Sequence, residues 1–348
     1  AAPAAQEADT DDSSTSVVVW VIISVVAFVT AIAAAVAFRL HAARKPAQGD
    51  GAEAVGAAVS AVGAAHVGEN PVTAPAASAE ERGTPPFGVS AAYLLNIFPN
   101  EVKAATGQSN PNFHEICPVF ACGPTGKGAN KVCPRDGLQG CSVVDALDEG
   151  HRGPATHFVS WCWGYSLEEL VGAIGGWVKN SGVDPLNTFL WVCFFCNNQY
   201  RLLKKGDELK PEELQHMFGQ SLQRIGRMLV VFNNFEEPAY IGRAWCLFEC
   251  FTSVRGQIPM DVILPKSAEA GFRQAIESGK GMGRLRHKFG AIDVRNAHAS
   301  RHEDEVAIKG LIRQSVGFDA VNALVKEKLL EWLLREFKRF ITDPESMA

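Results

Sequence analysis

The stretch HFVSWCWGYSLEELVGAIGGWVKNSG, residues 157–182, joins two patterns of different period. Its first part, His157 to Trp163, is a short run rich in β-forming residues that stops at Gly164. Ser166 then precedes Glu169 by three residues, the spacing of a capping box, in which a hydroxyl and a carboxylate satisfy the free N–H groups of a helix start. Beyond the cap, Leu167, Leu170, Val171, Ile174 and Val178 recur at helical intervals. The segment reads as strand, turn, helix.

The same unit recurs downstream. NTFLWVCFFC (187–196) reads as a buried strand, and PEELQHMFGQSLQRI (211–225) as a helix opened by proline. GRMLVVFNN (226–234) is a third strand, about 239–254 a third helix, and MDVILP (260–265) a fourth strand. Strands that are apolar throughout and alternate with helices imply an α/β fold, a parallel sheet covered on both faces. Ligands of such sheets bind at the carboxyl ends of the strands, which here are 163–165, 197–199 and 233–238. Further helices are expected at about 268–278, 301–316 and 319–341. The last carries Val321, Leu324, Val325, Leu329, Trp332, Leu333 and Phe337 along one side, which suits docking on the domain edge better than lying on a membrane surface.

Upstream, residues 17–38 contain no charge, and as a helix they would extend roughly 33 Å, enough for a hydrocarbon core of about 30 Å. Acidic residues precede the run, whereas Arg39, Arg44 and Lys45 follow it. A signal-peptide core competes with a membrane span, but the run is long and lacks a basic leader. The positive-inside rule then predicts a single-pass membrane protein with its C-terminal bulk in the cytosol. The expected organisation is an extracytoplasmic stub (1–16), a transmembrane helix (17–38), an Ala/Gly/Pro linker (39–86), a Cys/Gly/Pro-rich, loop-rich preamble (87–156), the α/β domain (157–266) and a helical extension (267–348). The linker has too few large apolar residues to offset its ordering entropy and is expected to act as a flexible tether.

A net charge of -5 and the absence of long Lys/Arg runs give no footprint for nucleic acid. The nine cysteines form no closely spaced framework of the small secreted type, and several sit in apolar runs as small hydrophobes. The main domain therefore reads as reduced. Cys117, Cys122, Cys133 and Cys141 are weak candidates for a zinc site, lacking the CxxC knuckle. GPTGKG (123–128) has two residues where a Walker loop has four, and Gly where that loop has Ser or Thr. No metal and no cofactor is expected. No motif pairs Cys193, Cys196, Cys246 or Cys250 with a histidine and an orienting acid for nucleophilic catalysis.

YIGRAWCLFECF (240–251) resembles the third-helix motif of Toll/interleukin-1-receptor (TIR) domains, through Tyr240, Trp245, Cys246 and Glu249. WVCFFCNNQ resembles the second strand of heterokaryon-incompatibility (HET) domains at Trp191, Cys196, Asn198 and Gln199, with Cys193 in place of an Asp. SWCWG (160–164) is similar to the first-strand motif of the same group. The likeness covers about 155–265 and is greatest to TIR-like domains of large protist families. It implies a flavodoxin-like sheet and leaves two activities open. One is signalling by association with itself or with other TIR-like domains. The other is NAD+ glycohydrolase activity, with NAD as substrate and Glu249 as the acid. The latter implies NAD contacts from Ser160, Trp163, Gly164, Tyr165, Asn198, Gln199 and Trp245. A carboxylate in that place would stabilise the ribosyl cation left when nicotinamide departs.

Overall fold

The computed structural model describes residues 85–204, 211–278 and 282–342, all within one compact unit, Ala74–Ala348. The chain opens with β1 (Phe87–Ser90), α1 (Ala91–Asn96), α2 (Phe98–Thr106), α3 (Phe113–Phe120), α4 (Val143–Ala146) and β2 (Arg152–Pro154). The repeating part follows: β3 (His157–Ser160), α5 (Leu167–Ser181), β4 (Phe189–Trp191), α6 (Cys193–Cys196), α7 (Gln199–Lys204), α8 (Pro211–Ile225), β5 (Met228–Val231), α9 (Ala244–Arg255) and β6 (Met260–Ile263). Helices α10 (Lys266–Ser278), α11 (Met282–Gly290), α12 (His302–Gln314) and α13 (Phe318–Thr342) complete it.

Six strands form one mixed sheet in the order β2-β1-β4-β3-β5-β6. The four strands from the repeating part are mutually parallel, as their apolar runs imply. The first crossover runs from β3 outward to β4, and the later ones run back past β3 to β5 and β6. Right-handed crossovers in opposite directions put α5 on one face and α8 and α9 on the other. Helix α5 begins as its sequence dictates: Ser166 accepts from the Glu169 N–H, and the Glu169 carboxylate accepts from the Ser166 N–H.

The preamble is more than a packed appendage. Strand β1 pairs antiparallel with both β4 and β2, so residues before 157 supply a third of the strands. Their signal in the sequence is slight, because β1 is four residues long and only its last three are buried. Helices α2 and α3 bring Phe98, Phe113 and Phe120 against Trp161, Phe194 and Phe195. Ring centroids there lie 4.4 Å apart for Phe113–Trp161 and 4.8 Å for Phe98–Phe195. The glycines of GPTGKG serve this packing. A Cβ on Gly123 would fall 1.8 Å from the Pro118 carbonyl oxygen, and one on Gly128 would fall 2.1 Å from that of Cys141. Lys127 pairs with Glu101 at 2.5 Å and lies over the Tyr93 and Phe120 rings, so its charge is committed within the fold.

Two expected strand ends move, that of β3 to Ser160 from Trp163. The strand in NTFLWVCFFC ends at Trp191, and CFFC turns into α6, with the Phe195 and Cys196 N–H groups returning to the Val192 carbonyl. The run is apolar beyond the strand because the turn is buried too, among the aromatic rings of α2 and α3. Helix α11 was not expected, although Leu285 and Phe289, both buried, recur in it at helical spacing. Helix α13 docks as expected, burying Val321, Val325, Leu329, Trp332 and Leu333 and packing on α9. Among the described residues no helix is long and apolar enough to cross a membrane. The span expected at 17–38, the stub before it and nearly all of the linker lie outside the described residues.

Truncating the aromatic junction should be costly. Phe113→Ala is expected to destabilise the fold by about 3–5 kcal/mol, read as a lower urea midpoint. Ser166→Ala should cost only about 1 kcal/mol, the loss of one helix cap.

Candidate functional site

Glu249 lies midway along α9, on the side facing β3. The approach to that helix is fixed by polar contacts. Asn233 accepts from the Ala239 N–H at 3.2 Å, the chain makes a 3-10 turn over Ala239–Gly242, and the Ala244 N–H donates to the His298 carbonyl at 2.9 Å. Ala244, the first residue of α9, is fully buried.

Ser160, the last residue of β3, is hydrogen-bonded through its hydroxyl to Glu249 Oε2. Its Oγ also lies 2.8 Å from Tyr240 Oη, and Tyr240 donates to the Cys246 carbonyl at 2.8 Å. Ser160 and Tyr240 are wholly buried, and Glu249 is 9% exposed. Burial drives the Glu249 carboxyl up from 4.5 to about 8, against the opposing pull of the Ser160 hydrogen bond. Burial likewise raises the Tyr240 phenol.

Hydrogen-bond direction gives the same preference. With Glu249 neutral, one sense of donation satisfies the chain: Glu249 to Ser160, Ser160 to Tyr240, Tyr240 to the Cys246 carbonyl. With Glu249 ionised, Ser160 must donate to the carboxylate. Tyr240 then has one proton for two acceptors, Ser160 Oγ and the Cys246 carbonyl. The neutral acid is the better fit.

Sulfur surrounds this network. Cys162 and Cys246 face each other at 3.7 Å, and Cys250 lies 3.7 Å from the Met260 sulfur. Trp163 Nε1 donates to the Cys193 sulfur at 3.4 Å, and burial pushes the Cys193 thiol up to about 12. Neither the Cys162–Cys246 approach nor its place beside Glu249 was legible beforehand, because the two cysteines are 84 residues apart.

Of the other NAD contacts implied by the resemblance, Ser160 is hydrogen-bonded to Glu249. Trp163 is half-buried against Phe194 and His114, and Gly164 is exposed. Tyr165 is buried, its hydroxyl donating to the Val231 carbonyl at 3.0 Å and tying β3 to β5. Asn198 donates to the Gly140 carbonyl at 3.0 Å, and Gln199 to the Cys193 carbonyl at 2.9 Å. Trp245 donates to Asp304 on α12 at 3.3 Å. Residues four apart on a helix are offset by about 40°, and here that offset sends the indole to α12 and the carboxyl to β3.

The four zinc candidates separate into two pairs: Cys117 is disulfide-bonded to Cys122, while Cys133 and Cys141 are free thiols buried together beside Ala146. Among the described residues no group of three or more His, Cys, Asp or Glu is placed to hold a metal. An open cleft of about 310 Å³ lies at the β6 edge between α5, α10 and α13, lined by none of the expected site residues. Much of its charge is paired, Arg335 with Asp261 at 2.9 Å and Arg339 with Glu336 at 3.9 Å. No family model, curated protein or solved structure matches the chain.

The raised pKa of Glu249 fixes a pH dependence. Between about 4.5 and 8 the folded state holds a proton that the unfolded state has released, so stability should fall as pH rises through that window. Glu249→Gln should flatten this part of the stability profile, measured by urea unfolding at a series of pH values. Ser160→Ala, which removes the hydroxyl bonded to the buried acid, should cost about 1–3 kcal/mol.

Proposed function

We propose that this chain is a membrane-anchored signalling protein whose TIR-like α/β domain acts by association with itself or with a similar domain. Three features support the TIR-like reading. The parallel strands run second-first-third-fourth, the order of flavodoxin-like sheets. The third crossover helix carries the Trp-Cys-x-x-Glu motif. That motif packs on the end of the first parallel strand, through Glu249 and Ser160. Anchoring rests on the apolar run at 17–38 and the basic residues after it.

One observation favours association over catalysis: the polar groups that NAD cleavage would need are engaged inside the protein. Glu249 is bonded to Ser160, Asn198 and Gln199 hold backbone carbonyls, and Trp245 holds Asp304. A carboxyl raised to about 8 is mostly neutral at pH 7, and a neutral acid does little for a developing ribosyl cation. The NAD+ nucleosidase reading keeps one supporting feature, the position of Glu249 beside the carboxyl end of a parallel strand, where such sheets bind ligands.

Light scattering over a wide range of protein concentration should show mass rising with concentration; a chain that stays monomeric throughout rejects the association reading. At the highest concentration, nicotinamide release from NAD should not exceed that of Glu249→Ala. Release that is abolished by Glu249→Ala and retained in Glu237→Ala establishes the nucleosidase instead.

A further inference from the structure

We propose that Cys162 and Cys246 are a thiol-oxidation site, closing a reversible disulfide between the end of the first parallel strand and α9 when a small peroxide reaches them. The sulfurs are already 3.7 Å apart, and a bond requires about 2.05 Å, so rotation of the two side chains has about 1.7 Å to close. They lie on separate parts of the fold: Cys162 follows β3, and Cys246 sits in the first turn of α9. The neighbouring thiols are held elsewhere. Cys250 faces Met260, Cys193 receives the Trp163 N–H, and Cys196 lies 3.9 Å from the Leu190 carbonyl. Cys162 is 5% and Cys246 3% exposed, which admits hydrogen peroxide far more readily than a disulfide reagent or a protein thiol.

The geometry also assigns the order of events. Cys246 Sγ lies 3.7 Å from Cys162 Sγ and donates to the Trp161 carbonyl at 3.5 Å; the contact between the two sulfurs, with Arg243 nearby, holds the Cys162 thiol below its ordinary range, while burial pushes Cys246 well above it. The Cys162 thiolate therefore attacks one peroxide oxygen. The O–O bond breaks, Cys162 becomes a sulfenic acid, and the departing hydroxide takes up the proton that Cys162 had released, leaving as water. The Cys246 sulfur then attacks the Cys162 sulfur. The S–O bond breaks, and the hydroxyl leaves as a second water with the Cys246 proton. In sum, two thiols and one hydrogen peroxide give one disulfide and two waters. The pair of sulfurs loses two electrons and the peroxide gains them.

The bond would fasten α9 to the strand end that receives Glu249, and it would close a long loop of the unfolded chain. Its stabilisation should therefore be visible as a rise in Tm on the order of 10 °C. The deciding experiment uses the full, folded wild-type chain. It is treated with equimolar hydrogen peroxide, alkylated, digested without reduction and mapped by mass spectrometry. The expected result is one new cross-linked pair of peptides carrying Cys162 and Cys246, absent before treatment and lost on adding dithiothreitol. Alkylated Cys162 and Cys246 after treatment, or a cross-link from either to Cys193, Cys196 or Cys250, overturns the proposal. In Cys246→Ser, dimedone should label Cys162 as its sulfenic acid, and the Tm rise should vanish. In Cys250→Ser the cross-link should persist. Should either variant fail to fold, the wild-type map alone decides.

Discussion

A carboxyl group buried between a strand end and a helix sets the terms for the centre of this fold. Glu249 has no solvent to stabilise its charge, so it is held mostly as a neutral acid, and its place is defined by the hydroxyls of Ser160 and Tyr240. Those bonds fix how α9 lies on β3. The approach of α9 in turn brings Cys246 to Cys162 and carries the helix face on which α12 and α13 pack. The central sheet thus meets α9 through a polar chain, and α12 and α13 pack on α9 in turn. A polar chain of this kind specifies position more than it adds stability, because hydrophobic packing is indifferent to small shifts and hydrogen bonds are not.

The second constraint is the aromatic junction on the other flank. Phe98, Phe113 and Phe120 come from before the repeating α/β pattern, and Trp161, Phe194 and Phe195 from within it. Their interlocking explains why the preamble is integral to the domain: removing it would expose the rings around α6 and strip β4 of its antiparallel neighbour β1. It also explains why a glycine-rich loop with a lysine is structural here. The glycines let the loop pass close to two backbone carbonyls, and the lysine is spent on Glu101.

Much of the α/β core was legible because its signals are local. The capping box at Ser166 and Glu169 places the start of α5 from adjacent residues, and the apolar runs of β3, β5 and β6 need no distant partner to be read. The candidate site was legible only in part. Glu249 stood out as an acid in an apolar helix, and Ser160 entered only through the resemblance of SWCWG, but nothing local says that they bond to each other. Trp245 and Glu249 are four residues apart, yet their side chains diverge to α12 and β3.

The sequence by itself determined the alternation of strands and helices, the parallel sense of the central strands and the docking face of α13, since each follows from periodicity and capping within a single segment. Tertiary structure alone decided that β1 joins the sheet, that CFFC turns as a helix, that Asn198 and Gln199 hold backbone carbonyls, and that Glu249 is enclosed and raised in pKa. The physical reason is one of range. Secondary structure is written in neighbours three or four residues apart, whereas desolvation, hydrogen-bond pairing and the meeting of two sulfurs depend on residues that only the folded chain brings together.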